Sequence, residues 1–356
     1  MRDAIILSGW TWEANNVPER IARALAQAGS RVLYCENPTS LFLGSASKPV
    51  TEVSNGIFVL GLRFFGHRFN RNPLLRWIQA RLLVNQITLN ADDLALKNPL
   101  VIYPHGEFVP LIKEFKRRGF RLIHICMDYE LHLMREHARL SDLTLAIPRA
   151  AYEELKQQFG EKVRLIPQFA MAENSKFTSD PAIPEGLNNI SSIKRPRLGY
   201  LGRLGGRISS TLLTQVLRKH PGWQFISFGG DDRRALLPNE HVLSWGSQKE
   251  LQTVLDGLDV GFMPYDCSIP KNLHCVPLKL FDYFSRGLPV VSTSIVYLRD
   301  FADLVYLGDT VEELDQAIRL ALEEPTDSPK RSKRMAIARN HSIEKLAQIL
   351  APLLYD

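Results

Sequence analysis

Short apolar runs alternate with amphipathic helical stretches along all 356 residues of this chain, and no other feature narrows its possible folds as far. Strands buried on both faces read as continuous apolar runs, whereas the helices that cover them repeat with a period of about 3.6 residues. Alternation of the two builds parallel sheets with crossover helices, an α/β fold. In the first half the predicted strands are Ala4–Leu7, Arg31–Cys35, Leu100–Tyr103, Leu122–Cys126, Leu143–Ile147 and Val163–Ile166. Helices fall between most of them: Pro18–Gln27 opens on proline and stops before Gly29, and Ala150–Phe159 stops before Gly160, the usual start and stop chemistry. A second series predicts strands at Leu198–Leu201, Gln224–Phe228, Val242–Trp245, Val260–Pro264, Pro289–Thr293 and Val305–Leu307. Its helices are Ser210–Lys219, Lys249–Leu255, Leu278–Arg286 and Val311–Glu323, followed by a helical region, Lys330–Leu354, broken near Asn340–Ser342.

With 45% apolar residues the chain can bury a full core, and at roughly 150 residues per domain its length suggests two domains. Between Phe177 and Arg197 the text TSDPAIPEGLNNISSIKRP loses periodicity and reads as a linker. The expected organisation is a first domain over 1–177, a linker over 178–197, a second domain over 198–330, and a helical region over 331–356 that packs back on the first domain. Doubly wound domains bind ligands at the carboxyl ends of their strands, so function is sought in the loops that follow the strands.

No run approaches the roughly 18 uncharged apolar residues of a membrane span, and MRDAIILSGW passes straight into a strand-like segment. Neither a signal peptide nor a transmembrane anchor is expected. Cys35, Cys126, Cys267 and Cys275 are scattered without a CxxC pair, which fits reduced thiols in a cytoplasmic protein. The net charge of +6 is uneven: residues 1–170 hold 22 Lys+Arg against 16 Asp+Glu, and residues 171–356 hold 22 against 22. An anionic partner for the first half follows, a phospholipid surface or an acidic substrate. Nucleic acid is not expected, since no nucleic-acid module accompanies the charge.

The densest chemistry lies in Asp259–Ser294, DVGFMPYDCSIPKNLHCVPLKLFDYFSRGLPVVSTS. A strand runs into a long polar loop, a helix starts near Pro277, and Gly287-Leu288-Pro289 turns the chain into another strand. A helix N-terminus presents free N–H groups and a favourable dipole to phosphate. Lys279 in its first turn adds a point charge, and Asp282 at i+3 can accept hydrogen bonds from a ribose diol. This segment resembles the C-terminal domain of GT-B glycosyltransferases of the group 1 type, whose donor-binding helix often reads P-x-K-x-x-E-Y-x-x-x-G-x-P-V-V; the chain has PLKLFDYFSRGLPVV. The resemblance implies two Rossmann-like domains facing a cleft, Lys279 on the donor phosphates, and Asp282, in place of the usual Glu, on ribose. Many retaining members carry a further Glu where this chain has His274, a departure from the retaining pattern. His274 is a candidate sugar or phosphate contact, against a loop histidine without a role.

RLGYLGRLGGR, residues 197–207, empties a strand into a glycine-rich turn. Glycines admit a phosphate close to the backbone, and Arg203 and Arg207 can neutralise it; surface arginines are the plain alternative. By resemblance the loops at Phe228-Gly229-Gly230-Asp231 and Ser244-Trp245-Gly246-Ser247 complete the pocket, with Gly229 allowing close approach and Trp245 either an apolar wall or core packing. Near the N-terminus, SGWTWEANNVPERIARALAQAGSRVLYCENP resembles the opening of GT-B relatives, and Trp10, Asn15 and Asn16 are the acceptor-side candidates.

Strand ends of the first domain offer His105 and Glu107 in VIYPHGEF and Asp128 in LIHICMDYE. A general base must be a carboxylate or imidazole within reach of the acceptor hydroxyl, which makes Asp128 the first candidate and His105 and Glu107 the next; Asp128 could instead cap the following helix. His124 and Cys126 share a strand face and read as buried core rather than a metal site. No DxD triplet stands in a suitable loop, and neither a cofactor nor an essential metal is expected. Residues 63–83, RFFGHRFNRNPLLRWIQARLL, carry five arginines and no acid among aromatics and leucines. The stretch suits either an anionic membrane surface or a packed helix with a solvated face.

The expected activity is transfer of a sugar from a nucleotide sugar to a carbohydrate or lipid-linked acceptor in cell-surface polysaccharide biosynthesis, in the cytoplasm or peripherally on the inner face of the cell membrane. Two alternatives compete: a sugar-nucleotide epimerase on the same scaffold, and a catalytically silent scaffold protein.

Overall fold

The computed structural model describes residues 2–12, 16–40, 50–65, 72–104, 109–169, 188–229, 236–244 and 248–355. In chain order the first elements are β1 (Ala4–Leu7), α1 (Val17–Gln27), β2 (Val32–Cys35), β3 (Thr39–Ser40), β4 (Thr51–Ser54), β5 (Ile57–Leu60), β6 (Arg63–Phe64) and α2 (Pro73–Asp93). There follow β7 (Leu100–Pro104), α3 (Val109–Arg117), β8 (Leu122–Cys126), α4 (Leu131–Leu140), β9 (Leu143–Ala146), α5 (Arg149–Phe159), β10 (Val163–Leu165) and α6 (Asn188–Ser192). The chain continues with β11 (Arg197–Leu201), α7 (Ser210–Lys219), β12 (Gln224–Phe228), β13 (Glu240–Leu243), α8 (Gln248–Gly257), β14 (Val260–Met263), α9 (Pro270–Leu273) and α10 (Leu278–Ser285). It closes with β15 (Val290–Ser292), β16 (Val305–Leu307), α11 (Val311–Leu322), α12 (Pro329–Asn340) and α13 (Ile343–Tyr355).

Contacts divide the chain into two units, Met1–Pro167 with Ile343–Asp356, and Gln168–Ser342. The change-over at Pro167 falls earlier than the predicted 177/178 boundary, and the predicted linker contains α6 and reaches the start of β11. Arg197 anchors that approach, its guanidinium donating to the carbonyls of Ile193 at 2.8 Å, Ser191 at 3.0 Å and Gly257 at 3.1 Å. At the other end, residues 331–342 belong to the second unit, and only α13 returns to the first, where it packs on α1. Arg334 explains the division. Fully buried on α12, it donates to Leu304 O and Gly287 O and pairs with Glu324 at 2.6 Å, which ties α12 to the end of α10.

The first unit is built on an eight-stranded sheet of order β10-β9-β8-β7-β1-β2-β5-β4, parallel except for β4. Its core sets Ile5, Leu33, Val101 and Tyr103 of the strands against Leu83, Val84 and Ile87 of α2. The β4–β5 hairpin and the small β3–β6 pair fall outside the predicted strands. Every residue of β4 is exposed, so it carries no apolar run; its signal is the Asn55-Gly56 turn, with Gly56 at φ +77°.

The second unit holds a six-stranded parallel sheet of order β13-β12-β11-β14-β15-β16. α10 lies on it through Leu280, Phe281, Tyr283 and Phe284, all buried with Tyr200, Phe262 and Val290. A Cβ on Gly261 of β14 would come within 2.6 Å of the Tyr283 ring, so only glycine lets α10 approach so closely. The ladder between β11 and β14 stops at Gly199↔Gly261. Beyond it the Tyr283 hydroxyl takes the place of a strand, donating to Gly199 O at 2.9 Å and accepting from Leu201 N at 3.0 Å. Burial holds this phenol far above its ordinary pKa, so it remains a neutral donor and acceptor.

Tyr283→Phe keeps the ring and strands a buried carbonyl and N–H. A stability loss of about 1–3 kcal/mol is expected in urea denaturation; an unchanged transition would show that the hydroxyl bond contributes nothing.

Candidate functional site

The second sheet reverses direction at β11, which pairs with β12 on one side and β14 on the other. Loops leaving the carboxyl ends of two such strands diverge and open a crevice, the usual ligand position in doubly wound sheets. Gly202 opens the first of these loops in the left-handed region at φ +120°, and its N–H donates to Phe228 O at 2.8 Å. Gly229, after β12, lies directly on it: a Cβ there would sit 2.2 Å from the Gly202 carbonyl carbon. Backbone meets backbone, and no side chain fits between the two loops.

Lys279 reaches this corner from the first turn of α10. A Cβ on Gly202 would lie 3.7 Å from its Cε and Nζ. Its ammonium is 3.1 Å from the Tyr265 hydroxyl and 3.4 Å from that of Tyr200, and it stands 4.4 Å from the centre of the Tyr200 ring. Burial drives the Tyr265 phenol well above its ordinary pKa, so that hydroxyl is neutral. Among the described residues no carboxylate lies within ion-pair distance of Lys279. Two phenols and a ring face therefore orient a full positive charge without cancelling it, which leaves it available to an external anion.

Asn272 holds the two loops together. It is 1% exposed, and its amide nitrogen donates to Asp266 O at 3.0 Å and to Gly206 O and Arg207 O at 3.3 Å. Asp266 N donates back to Arg207 O at 2.9 Å, Ser209 N donates to Pro264 O at 2.9 Å, and Ile208 bridges Tyr265. Sequence reasoning did not single out Asn272, Tyr200 or Tyr265. An asparagine in a polar loop and tyrosines at strand ends have no distinguishing period, and their roles exist only once the carbonyls and Lys279 are placed.

The remaining predicted donor-side residues fall around this frame. Arg203 is exposed and Arg207 half-buried on the glycine-rich loop, while His274 is half-buried at the C-cap of α9. Asp282 lies one turn beyond Lys279 but is only 2% exposed. Trp245 lies outside the described residues.

In the first unit the corresponding switch is at β1, between β2 and β7. Trp10, in the loop after β1, is 42% exposed. Asn16, an expected acceptor contact, is instead buried as the N-cap of α1: its Oδ1 accepts from Glu19 N at 2.9 Å and its Nδ2 donates to the Tyr34 hydroxyl at 3.2 Å. Helix capping, not ligand contact, accounts for an asparagine before Val-Pro-Glu. Asn15, His105 and Glu107 lie outside the described residues. Asp128 follows β8 and is half-buried; the N-cap position of α4 is held by Glu130, two residues further on. His124 and Cys126 are fully buried, His124 lying beside the rings of Tyr103 and His137. Among the described residues no three His, Cys, Asp or Glu side chains gather as a metal site.

No family model matches the chain. Solved structures match it over nearly their whole length. The trehalose-6-phosphate synthase of E. coli bound with UDP-2-fluoro glucose aligns at a TM-score of 0.66 and 11% identity, covering 99% of each chain. The α,α-trehalose-phosphate synthase (UDP-forming) of Burkholderia xenovorans in complex with glucose-6-phosphate aligns at 0.66 and 12%, covering 99% of this chain and 100% of that one. The sucrose-phosphate synthase of Thermosynechococcus elongatus aligns at 0.67 and 14%, covering 99% and 98%. The fold is that of the GT-B glycosyltransferases. A sequence relative from Bacillus subtilis (strain 168), provisionally named as the teichuronic acid biosynthesis glycosyltransferase TuaH, is 27% identical over 146 residues. That match takes in 38% of this chain and covers 35% of the relative's length.

Asn272→Ala removes the donor shared by three carbonyls. Amide hydrogen exchange across residues 202–209 is expected to accelerate about tenfold or more, with a stability loss of about 1–3 kcal/mol. Unchanged exchange there would show that the loops hold their register without it.

Proposed function

We propose that this protein transfers a sugar from a nucleoside diphosphate sugar to a hydroxyl of a carbohydrate acceptor. The observation that carries the reading is Lys279: an ammonium with no carboxylate partner among the described residues, fixed by Tyr200 and Tyr265 beside Gly202 at the switch point of the second sheet. In this reading Lys279, Arg203 and Arg207 hold the diphosphate, Gly229 lets it approach the backbone, and the charge that develops on the departing phosphate meets preorganised cations. Asp282 takes the ribose hydroxyls, Trp245 walls the base, and His274 contacts the sugar or phosphate. Asp128 is the first choice of base for the acceptor hydroxyl, with His105 and Glu107 next; Trp10 and Asn15 are the acceptor-side contacts. The reaction is expected to need no metal or other cofactor.

The finer reading is a role in building a cell-surface polysaccharide on a carbohydrate or lipid-linked acceptor, from the cytoplasmic side of the membrane. The provisional name of the Bacillus relative supports the polysaccharide context, and the ligands named for the solved neighbours support a nucleotide sugar with a carbohydrate acceptor. An epimerase would convert the nucleotide sugar with no acceptor present, and a silent scaffold would not turn it over at all. Product analysis with and without acceptor separates the three.

A thermal-shift panel of UDP, GDP, ADP and TDP is expected to single out one nucleotide, because a ligand that binds only the folded state raises its melting temperature. Lys279→Ala should weaken that nucleotide's binding by about 1–3 kcal/mol; unchanged affinity in calorimetry would remove the donor site from this corner. Asp128→Asn should preserve nucleotide affinity and melting temperature while lowering turnover about 100-fold or more. Equal turnover would pass the role to His105 or Glu107, or to a mechanism in which the departing phosphate takes the proton.

A further inference from the structure

Helix α2 is apolar on both faces. One face packs into the first unit through Ala80, Leu83, Val84, Ile87 and Ala91. The other carries Leu74, Ile78 and Leu82 at successive i+4 positions, with Trp77 beside them and Leu89 further along, all exposed: Leu74 to 63%, Leu89 to 62%, Trp77 and Leu82 to 45%. A surface helix normally turns a polar face to water, and a contiguous outward apolar stripe marks a contact surface. Among the described residues no helix is long and apolar enough to cross a membrane, so this face can lie on a bilayer but not span it.

The sequence around the first turns of the stripe carries charge of one sign. Between Glu52 and Asp92 the sequence has five arginines and no carboxylate. Arg81 stacks over the Trp77 ring at 4.8 Å on the outward face. From the turn that ends the neighbouring α3, Arg118 donates to Asn85 on that face at 2.6 Å. The carboxylate of α3, Glu114, is buried under Arg117 and Arg118 and faces them rather than the stripe. Asp92 and Asp93 stand exposed at the far end of α2 beside Leu89, whereas its first three turns carry the aliphatic side chains, the tryptophan and the Arg81 guanidinium.

We propose that the outward face of α2 docks the protein on an anionic phospholipid surface, with Leu74, Trp77, Ile78 and Leu82 entering the interface and Arg81 meeting the headgroup phosphates. Apolar side chains gain free energy on leaving water, tryptophan prefers the boundary, and each guanidinium adds attraction to negative headgroups. A second copy of the chain is the weaker occupant, because a two-fold contact through this face sets its arginines against an equally basic surface. The inference is independent of the sugar-transfer reading, since vesicle binding requires no turnover.

The test is co-sedimentation of the full chain with phosphatidylcholine vesicles, with and without phosphatidylglycerol. The native protein should pellet with the anionic vesicles and be released by salt. The combined substitutions Trp77→Glu, Ile78→Glu and Leu82→Glu should weaken binding about tenfold or more, and Arg81→Gln should weaken it at low salt. Melting temperature serves as the control on folding. If the triple variant melts early, Leu74→Glu alone, at the most exposed position, should still reduce binding measurably. No native binding to anionic vesicles, equal binding to neutral ones, or full binding by a folded triple variant would overturn the proposal. So would a native dimer that the triple variant converts to monomer in sedimentation, which would assign the face to a second copy.

Discussion

The hydroxyl of Tyr283 fills the place where β11 and β14 cease to pair, and the geometry of the second unit hangs on that substitution. A doubly wound sheet must separate its central strands at one end to make room for a ligand, yet the backbone groups exposed by the separation are buried and need partners. Here one phenol supplies both a donor for Gly199 O and an acceptor for Leu201 N. Its ring rests on Gly261, where any Cβ would collide with it. The same contact fixes α10 in height and rotation, and so determines where the first turn of that helix ends.

That first turn delivers Lys279 to the corner made by Gly202 and Gly229. A lysine beside a carboxylate would be neutralised before any ligand arrived, whereas the Tyr265 phenol, raised far above its ordinary pKa by burial, and the Tyr200 hydroxyl orient it and leave the charge intact. Asn272 completes the frame by holding the glycine-rich loop against the loop after β14. The contacts of Tyr283 with β11, of Lys279 with Tyr200 and of Asn272 with the glycine-rich loop join residues more than sixty positions apart.

Legibility was greatest where a signal repeats. β1, β8, β12 and β16 match their predicted bounds, because parallel strands read as short, mainly apolar runs; Ser210–Lys219 matches as a capped, periodic helix. β4 carries no apolar run and has no such signal. The first domain boundary shifted because a contact boundary follows packing, whereas composition marks only the loss of periodicity. Of the candidate site, Lys279, Gly229 and the glycine-rich loop could be read in advance from a motif written within single segments. Asn16 could not be assigned so, since the same asparagine suits a ligand loop or a helix cap, and only the position of Glu19 N and Tyr34 separates the two.

The amino-acid sequence by itself determined the α/β class, most strands and helices, and the segment that carries Lys279, because hydrophobic periodicity and local motif are properties of neighbouring residues. Tertiary structure alone decided that β11 is the switch strand, that Tyr283 bridges its backbone, and that Tyr200, Tyr265 and Asn272 build the corner around Lys279. It also decided which face of α2 stays uncovered. The physical reason is the same in each case: a hydrogen bond across a strand gap, or the burial of one helix face rather than the other, depends on groups that meet only after the sheet has assembled.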